Sequence, residues 1–179
     1  FNERAECARL VPHPTAPGAR GVRTPRFVKT FRLLFKVIVM TLQLETPQVS
    51  LRPFVPEDAP LAFPWLTDAE IMRYMPTGQD FTLAQVEARI ARYIAHQEQH
   101  GYSRWLAIER SSGLPVGDAG LLYLPATQEI ELGYRVIQSH WGRGLATEMA
   151  AAWVAQAFGP LGLTDLIAFS HPDNLASIR

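Results

Sequence analysis

A turn at residues 141–148 combines two glycines with the start of a predicted helix. Its sequence is WGRGLATE, and it lies between a predicted strand and a long alanine-rich segment. Glycine lets the backbone approach a ligand closely, and the first N–H groups of a helix have no acceptor inside it. Together with the positive end of the helix dipole, such amides favour a phosphate. Glycines at tight turns are often purely structural, so the turn alone leaves both interpretations open.

Two well-known phosphate loops do not fit this turn. A P-loop needs Gly-Lys-Ser/Thr after its glycines, and no lysine follows Met40. A dinucleotide-binding fingerprint needs a third small residue where Thr147 stands. It also opens a βαβ unit, whereas this turn lies late in the chain.

The strand before the turn, residues 129–137, has a two-residue period. Glu129, Glu131 and Arg135 fall on one face. The other face carries the apolar residues, which are Ile130, Leu132, Tyr134 and Val136. Either carboxylate could accept a proton in catalysis, or it could pair with Arg135 on a solvated face.

The remaining elements alternate between strands and helices, which is a mixed α/β plan. The helix after the turn is predicted over 144–158. Thr82 and Gln85 form a capping box for another helix that ends near 99. The other predictions are strands at 49–54, 105–109, 116–123 and 163–169, and helices beginning at 56–58, 69–75 (capped by Asp68) and 173–174.

Composition and charge exclude some classes of function and favour others. The chain has 179 residues, 47% of them hydrophobic, which suits one globular domain. Residues 1–39 hold eight Lys or Arg against two acids, and residues 40–179 hold nine against fifteen. An acidic body argues against nucleic-acid binding and suits a cationic substrate such as an amine. The single cysteine, Cys7, excludes an intrachain disulfide and a multi-cysteine zinc site, and favours a reducing cytoplasm.

The first forty residues differ from the rest. Prolines and glycines are dense over 9–26, and the apolar, basic stretch 27–39 is shorter than the ~20 residues that span a bilayer. We interpret 1–40 as a non-native or flexible basic lead-in to a domain at 41–179. The competing interpretation is an amphipathic helix on a membrane surface.

Residues 141–148 resemble the pyrophosphate loop of the GNAT superfamily of N-acetyltransferases, Gln/Arg-x-x-Gly-x-Gly/Ala. Trp141, Gly144 and Ala146 occupy its defined slots. Tryptophan in the first slot departs from the general pattern, but it is similar to the ribosomal-protein N-terminal acetyltransferase branch, where Trp-Gly-x-Gly-x-Ala-Thr-Glu is common. The resemblance covers 42–179 through further matches at 44–47, 51–53, 56–58, 105–108, 116–117, 131–134 and 174–177.

The resemblance implies an α/β GNAT acyl-CoA N-acyltransferase fold that lacks its last helix and two strands within these residues. Acetyl-CoA would lie between strands 129–137 and 163–169. Main-chain groups would bind the pantetheine arm and loop amides the pyrophosphate, with Asn174 on the cofactor arm or acting only as a helix cap. The implied cofactor-binding residues are Tyr134, Arg135, Val136, Trp141, Gly142, Arg143, Gly144, Leu145, Ala146, Thr147, Asn174 and Ser177.

The resemblance also implies roles in acetyl transfer. Glu131 matches the family's Glu-x-Gly-Tyr strand and is our candidate base, with Glu129 in reserve. An oxyanion donor would be an N–H near Val136. The family's tyrosine acid would lie beyond residue 179. No spacing indicates a metal site.

We therefore expect an enzyme, an N-acetyltransferase that moves acetyl from acetyl-CoA to a primary amine. A protein N-terminus is the leading acceptor, and small amines of the aminoglycoside or polyamine type are alternatives. A non-catalytic acyl-CoA-binding module is a second hypothesis, and a chain that does not fold alone because a sheet edge is uncovered is a third. A homodimer is left open.

Overall fold

The computed structural model describes residues 6–11, 42–75 and 78–178. The strands are β1 (Glu6–Leu10), β2 (Leu44–Glu45), β3 (Val49–Pro53), β4 (Arg104–Glu109), β5 (Pro115–Leu124), β6 (Glu129–Val136) and β7 (Leu166–Ser170). The α-helices are α1 (Ala59–Leu66), α2 (Leu83–His100), α3 (Leu145–Phe158) and α4 (Leu175–Ile178). Short 3-10 turns occupy Pro56–Asp58 and Gln138–His140.

The seven strands of the described residues form one mixed sheet in the order β1-β7-β6-β5-β4-β3-β2. Neighbouring strands are antiparallel except β6 and β7, which run parallel. A parallel pair needs a crossover connection, and α3 supplies it. The predicted mixed α/β fold is therefore confirmed.

Two apolar cores lie on opposite faces of the sheet. On one face α3 packs through Met149 and Trp153, and the Trp153 ring meets Trp105 edge-on at 4.8 Å. On the other face α1 and α2 pack through residues such as Trp65 and Ile90. The two-residue period of β6 is confirmed, because Leu132 and Val136 belong to the α3 core.

The local signals for α2 act as predicted. Thr82 Oγ1 accepts from the Gln85 N–H at 3.3 Å, and Gln85 Oε1 accepts from the Thr82 N–H at 3.0 Å. Val86 and Ile90 are buried on its inner face. Gly101, with φ +78, ends the helix in a left-handed conformation that suits glycine.

The predicted helix at 69–75 is wrong. Asp68 does act as a cap, accepting from the amides of Glu70 and Ile71 at 2.8 and 3.0 Å. However, the segment then closes in isolated turns, such as the bond from the Met75 N–H to the Met72 carbonyl at 3.0 Å. Pro76 disfavours helical geometry in the residue before it, and burial of Met72 holds the turns against the α1–α2 core.

Strand β1 lies in a region where the sequence predicted no element. It pairs antiparallel with β7, from Glu6 opposite Ser170 to Leu10 opposite Leu166. Arg9 reaches Glu129 at 2.5 Å. The interpretation of 1–40 as a lead-in stays a prediction. The apolar stretch 27–39 lies outside the described residues, and none of the helices described is both long and apolar enough to cross a membrane.

Candidate active site

The parallel strands β6 and β7 separate toward their carboxyl ends. The two strands pair where Glu131 lies opposite Ile167, although β6 continues to Val136 and β7 to Ser170. On its outer side β7 remains paired with β1 along its whole length. The end of β6 therefore faces a gap rather than a neighbouring strand.

The hydrogen-bonding pattern of β6 determines which groups point into this gap. The Ile137 N–H donates to the Val116 carbonyl at 2.9 Å, so residue 137 bonds toward β5. In an antiparallel pair, residues whose main-chain groups bond to the neighbouring strand alternate with residues whose groups point away from it. The main-chain groups of Arg135 therefore point toward Asp118 on β5, and those of Tyr134 and Val136 point toward β7. Tyr134 and Val136 thus line the gap with their N–H groups, and Arg135 does not.

The loop after β6 presents a series of amides without acceptors. The first hydrogen bond of α3 runs from the Glu148 N–H to the Gly144 carbonyl at 3.0 Å. Within the part of the chain that the structure describes, no acceptor receives the N–H groups of 142–147. Gly142 and Gly144 have φ of +73 and +79, and a Cβ at either would meet nothing within 4 Å. The glycines are therefore required by backbone conformation, and the surface beside them is open.

Trp141 fixes the start of the loop. Its Nε1–H donates to the Val136 carbonyl oxygen at 2.7 Å, while half of the residue remains exposed. The bond occupies the Val136 carbonyl and leaves the Val136 N–H to face the gap. Trp141 thus links the loop to the end of β6.

Arg143 is bound to a carboxylate. It forms an ion pair with Glu109 at the end of β4, and Glu109 also accepts from the Ser112 hydroxyl at 2.7 Å. His140 Nε2 lies 3.7 Å from the same carboxylate. The Ser112 hydrogen bond and the Arg143 guanidinium lower the pKa of Glu109 to about 2, so this carboxylate is ionised at neutral pH. The positive charge of Arg143 is therefore largely balanced by Glu109.

Glu131 lies on the α1–α2 face of the sheet next to an arginine from β4. Arg104 Nη2 is 3.5 Å from Glu131 Oε2, and the two side chains are 8% and 22% exposed. Glu131 therefore has one shielded side and one accessible side. Glu129 lies at the start of the strand, paired with Arg9.

Arg135 pairs with Asp118, and not with Glu129 or Glu131 as the strand pattern allowed. Its guanidinium donates to both carboxylate oxygens of Asp118, and it donates to the Tyr93 hydroxyl at 2.8 Å. The Trp65 indole N–H donates to Asp118 at 2.7 Å. The possibility of Arg135 pairing with Glu129 or Glu131 is thus excluded by geometry. This buried network instead joins β5 and β6 to α1 and α2.

Comparison with known proteins bears on what this arrangement does. The sequence model of a protein family, the acetyltransferase (GNAT) domain, matches residues 48–179. The chain belongs to the GNAT acetyltransferase family. An uncharacterised N-acetyltransferase of Bacillus subtilis (strain 168), YoaA, is 31% identical over 138 residues, covering 76% of this chain and 77% of the relative.

A further relative is similar in sequence, and a solved structure is similar in fold. The FsC-acetyl coenzyme A-N(2)-transacetylase of Aspergillus fumigatus is 27% identical over 143 residues, covering 75% of this chain and 60% of that protein. The crystal structure of an acetyltransferase from Agrobacterium tumefaciens strain C58 superposes with a TM-score of 0.66 at 23% identity, covering 88% of this chain and 84% of that one. As a GNAT acetyltransferase, the chain uses acetyl-CoA as its acetyl donor.

The remaining predicted residues of this GNAT domain lie after β7. The Asn174 carbonyl accepts from the Ser177 N–H at 3.0 Å, which places Asn174 at the start of α4. Neither side chain has a hydrogen-bond partner within the residues described around it. Next to them, the His171 ring stacks on Tyr74 at 5.1 Å and connects the segment after β7 to the 68–75 turns.

Three partners of the site were missed in the sequence analysis, namely Arg104, Glu109 and Asp118. Each acts across strands, so its role depends on a register that local patterns do not give. One signal was present in the sequence, because Gly120 and Gly133 lie inside predicted strands. Glycine inside a strand often marks a close approach by another group.

Proposed function

We propose that this acetyltransferase transfers acetyl from acetyl-CoA to a primary amine. The observation that carries the proposal is the run of acceptorless amides at 142–147, directly beside the gap between β6 and β7. Amides at a helix start favour a diphosphate without requiring basic side chains. This suits a loop whose arginine is held by Glu109.

The gap would hold the rest of the donor. The Tyr134 main chain and the Val136 N–H would bond the pantetheine arm, as a neighbouring strand would. A main-chain N–H near Val136 would also stabilise negative charge on the carbonyl oxygen during attack. Trp141 would keep this end of β6 in place through the Val136 carbonyl. Asn174 and Ser177, which follow β7 in the chain, would complete the proposed donor site. Arg135 is not proposed as a direct ligand, because its side chain is bound to Asp118.

Glu131 would act as the base. An amine attacks a thioester only as its neutral form, so a proton must be taken up directly or through a water. The accessible side of Glu131 is available for this purpose, whereas Glu129 is engaged by Arg9 and lies further from the open end of the strand.

A protein N-terminus is the leading acceptor in this proposal, and the cytoplasm is the proposed compartment. The Trp-Gly-x-Gly-x-Ala-Thr-Glu form of the loop supports the ribosomal-protein N-terminal acetyltransferase branch. The name of the A. fumigatus relative states transfer from acetyl coenzyme A to an N(2) atom, which supports nitrogen as the accepting atom.

Thiol release from acetyl-CoA across a panel of peptides and small amines tests the proposal. We expect release with at least one amine, and a loss of roughly 100-fold or more in kcat for Glu131→Gln. Glu87→Gln, an exposed change on α2, is the matched control and should keep full activity. Tight CoA binding without thiol release on any amine would favour the non-catalytic binding module instead.

A further inference from the structure

The Arg104 side chain crosses the sheet past Gly120 and lies in a groove over Gly133. The strand registers place Arg104 opposite Gly120, and Gly120 opposite Gly133. These three residues therefore form one row across β4, β5 and β6. Because Gly133 has no side chain, this row has a hollow over β6 on the face toward α1 and α2, whereas a Cβ at Gly120 would meet the Ser103 carbonyl oxygen at 2.0 Å.

The arginine fills that hollow closely. A Cβ on Gly133 would lie 2.1 Å from Arg104 Nη2, 2.3 Å from Nη1 and 2.5 Å from the guanidinium carbon. Real atoms do not approach so closely, so the missing side chain of Gly133 is what makes room for the guanidinium. The glycine of the Glu-Leu-Gly-Tyr segment thus has a packing explanation that involves a residue 29 positions earlier.

The end of the groove is Glu131. Arg104 Nη1 donates to the Gly120 carbonyl at 3.1 Å, which orients the guanidinium plane. Nη2 then lies 3.5 Å from Glu131 Oε2. With Arg104 almost fully buried, the carboxylate is approached from the protein side by a fixed positive charge and remains accessible on its other side.

The charged and titratable groups described next to this row have other partners. Along β6, Glu129 pairs with Arg9 from β1, and Arg135 pairs with Asp118 from β5. From α2, His96 accepts a hydrogen bond at Nε2 from the Tyr123 N–H at 2.9 Å. Within the described ranges, Arg104 is therefore the cation that contacts Glu131.

We propose that Arg104 is a positioning residue for acetyl transfer, holding the Glu131 side chain turned toward the acceptor amine. The inference rests on the proposed role of Glu131 as base. In that step the amine nitrogen forms the C–N bond and the C–S bond breaks. The electron pair leaves with the coenzyme sulfur, and the amine proton passes to Glu131 directly or through a water. Arg104 touches none of the reacting atoms.

Arg104→Met should lower kcat by about 10-fold and leave the Kd for CoA and the acceptor KM within about 2-fold, because it disturbs a base rather than a binding contact. Arg104→Lys should recover part of the loss, since it keeps the charge without the planar fork. Arg92→Gln removes an exposed arginine of α2 and is the matched control.

Gly133→Ala tests the geometry without removing the charge. The added methyl group displaces only the end of a long side chain, so the fold should survive while the guanidinium moves away from Glu131. We expect a kcat loss similar to that of Arg104→Met, and no further loss when the two changes are combined. Full activity of Gly133→Ala would overturn the inference.

A double-mutant cycle separates this inference from the proposed function. In the Glu131→Gln background, Arg104→Met should have no additional effect on kcat, because the group it positions is gone. Independent, additive losses would overturn the positioning role and leave the base intact. An unchanged kcat for Glu131→Gln itself would instead overturn the proposed base.

Discussion

Arg143 in the loop and Glu109 at the end of β4 form an ion pair that joins the loop to the β4–β5 hairpin. Ser112 from the hairpin turn donates to the same carboxylate. The loop before α3 is therefore held from two sides, by this pair and by the bond from Trp141 to β6. Rigid support of this kind fixes the directions of the loop amides before any ligand arrives.

Glu109→Gln should make stability depend less on acid pH. The pKa of Glu109 is about 2 in the folded chain and about 4.5 in the unfolded chain, so its stabilisation is complete above pH 4.5 and is lost as the pH falls toward 2. The difference in unfolding free energy between the wild type and Glu109→Gln should therefore shrink over that window in urea titrations. Curves of unfolding free energy against pH that run parallel for the wild type and Glu109→Gln would contradict the expectation.

Gly144→Ala should weaken CoA binding by roughly 10-fold, as expected if one charge-assisted hydrogen bond is lost. Gly144 has φ +79, where alanine costs about 1–2 kcal/mol, and relief of that strain would turn the neighbouring amides. Gly101→Ala is a matched control, because Gly101 has φ +78 and also open space at the Cβ position. Both variants should lose similar stability, but only Gly144→Ala should raise the Kd measured by calorimetry.

Stability should fall as the pH drops below 6.5 because of His96. Burial, followed by the nearby charges of His100 and Arg104, lowers the pKa of His96. A lowered histidine pKa stabilises the fold above the unfolded value of about 6.5 and loses that contribution as the pH falls. His96→Gln should flatten the pH dependence of the unfolding free energy below pH 6.5, and an unchanged pH dependence in that variant would contradict the expectation.

The tautomer of His96 gives an independent check. The Tyr123 N–H donates to Nε2, so that nitrogen must carry a lone pair. The proton then lies on Nδ1, which donates to the Tyr102 carbonyl at 2.8 Å. Nitrogen NMR at pH 7 should report the Nδ1–H form, and finding the Nε2–H form would contradict this hydrogen-bond assignment.

Asp118→Asn should destabilise the fold by about 3–5 kcal/mol, because it leaves Arg135 as a buried charge without its carboxylate. Removing Glu70 from its exposed pair with Arg73 should change stability by less than about 1 kcal/mol. Chemical denaturation of both variants measures the difference. Equal, small effects would show that the buried network carries little of the stability.

Local signals in the sequence were sufficient to predict most of the helices and strands. The capping box of Thr82 and Gln85, the period of β6 and the glycine turn before α3 each depend on residues close together in the chain. The prediction of a helix at 69–75 was wrong. Asp68 caps the segment as expected, but Pro76 disfavours helical geometry before it and burial of Met72 favours the observed turns. Strand β1 was missed because its pairing with β7 joins residues about 160 positions apart.

The candidate site could be predicted only in outline. The loop was found from glycines and helix position, and Glu131 from a family resemblance. The partners that orient these groups follow from strand register, as for Arg104 across Gly120 and Gly133 or Arg135 opposite Asp118. The family resemblance placed Arg143 among the cofactor-binding residues, and its ion pair with the buried Glu109 could not be predicted from sequence spacing.

The amide resonances of Gly142, Arg143 and Gly144 provide the most direct measurement of the central claim, that loop amides bind the diphosphate of CoA. In proton–nitrogen correlation spectra, these amides should shift strongly and saturably when CoA is added, and they should shift with ADP but not with pantetheine, which has no diphosphate. Unchanged loop amides in the presence of bound CoA, or equal shifts with pantetheine, would contradict it.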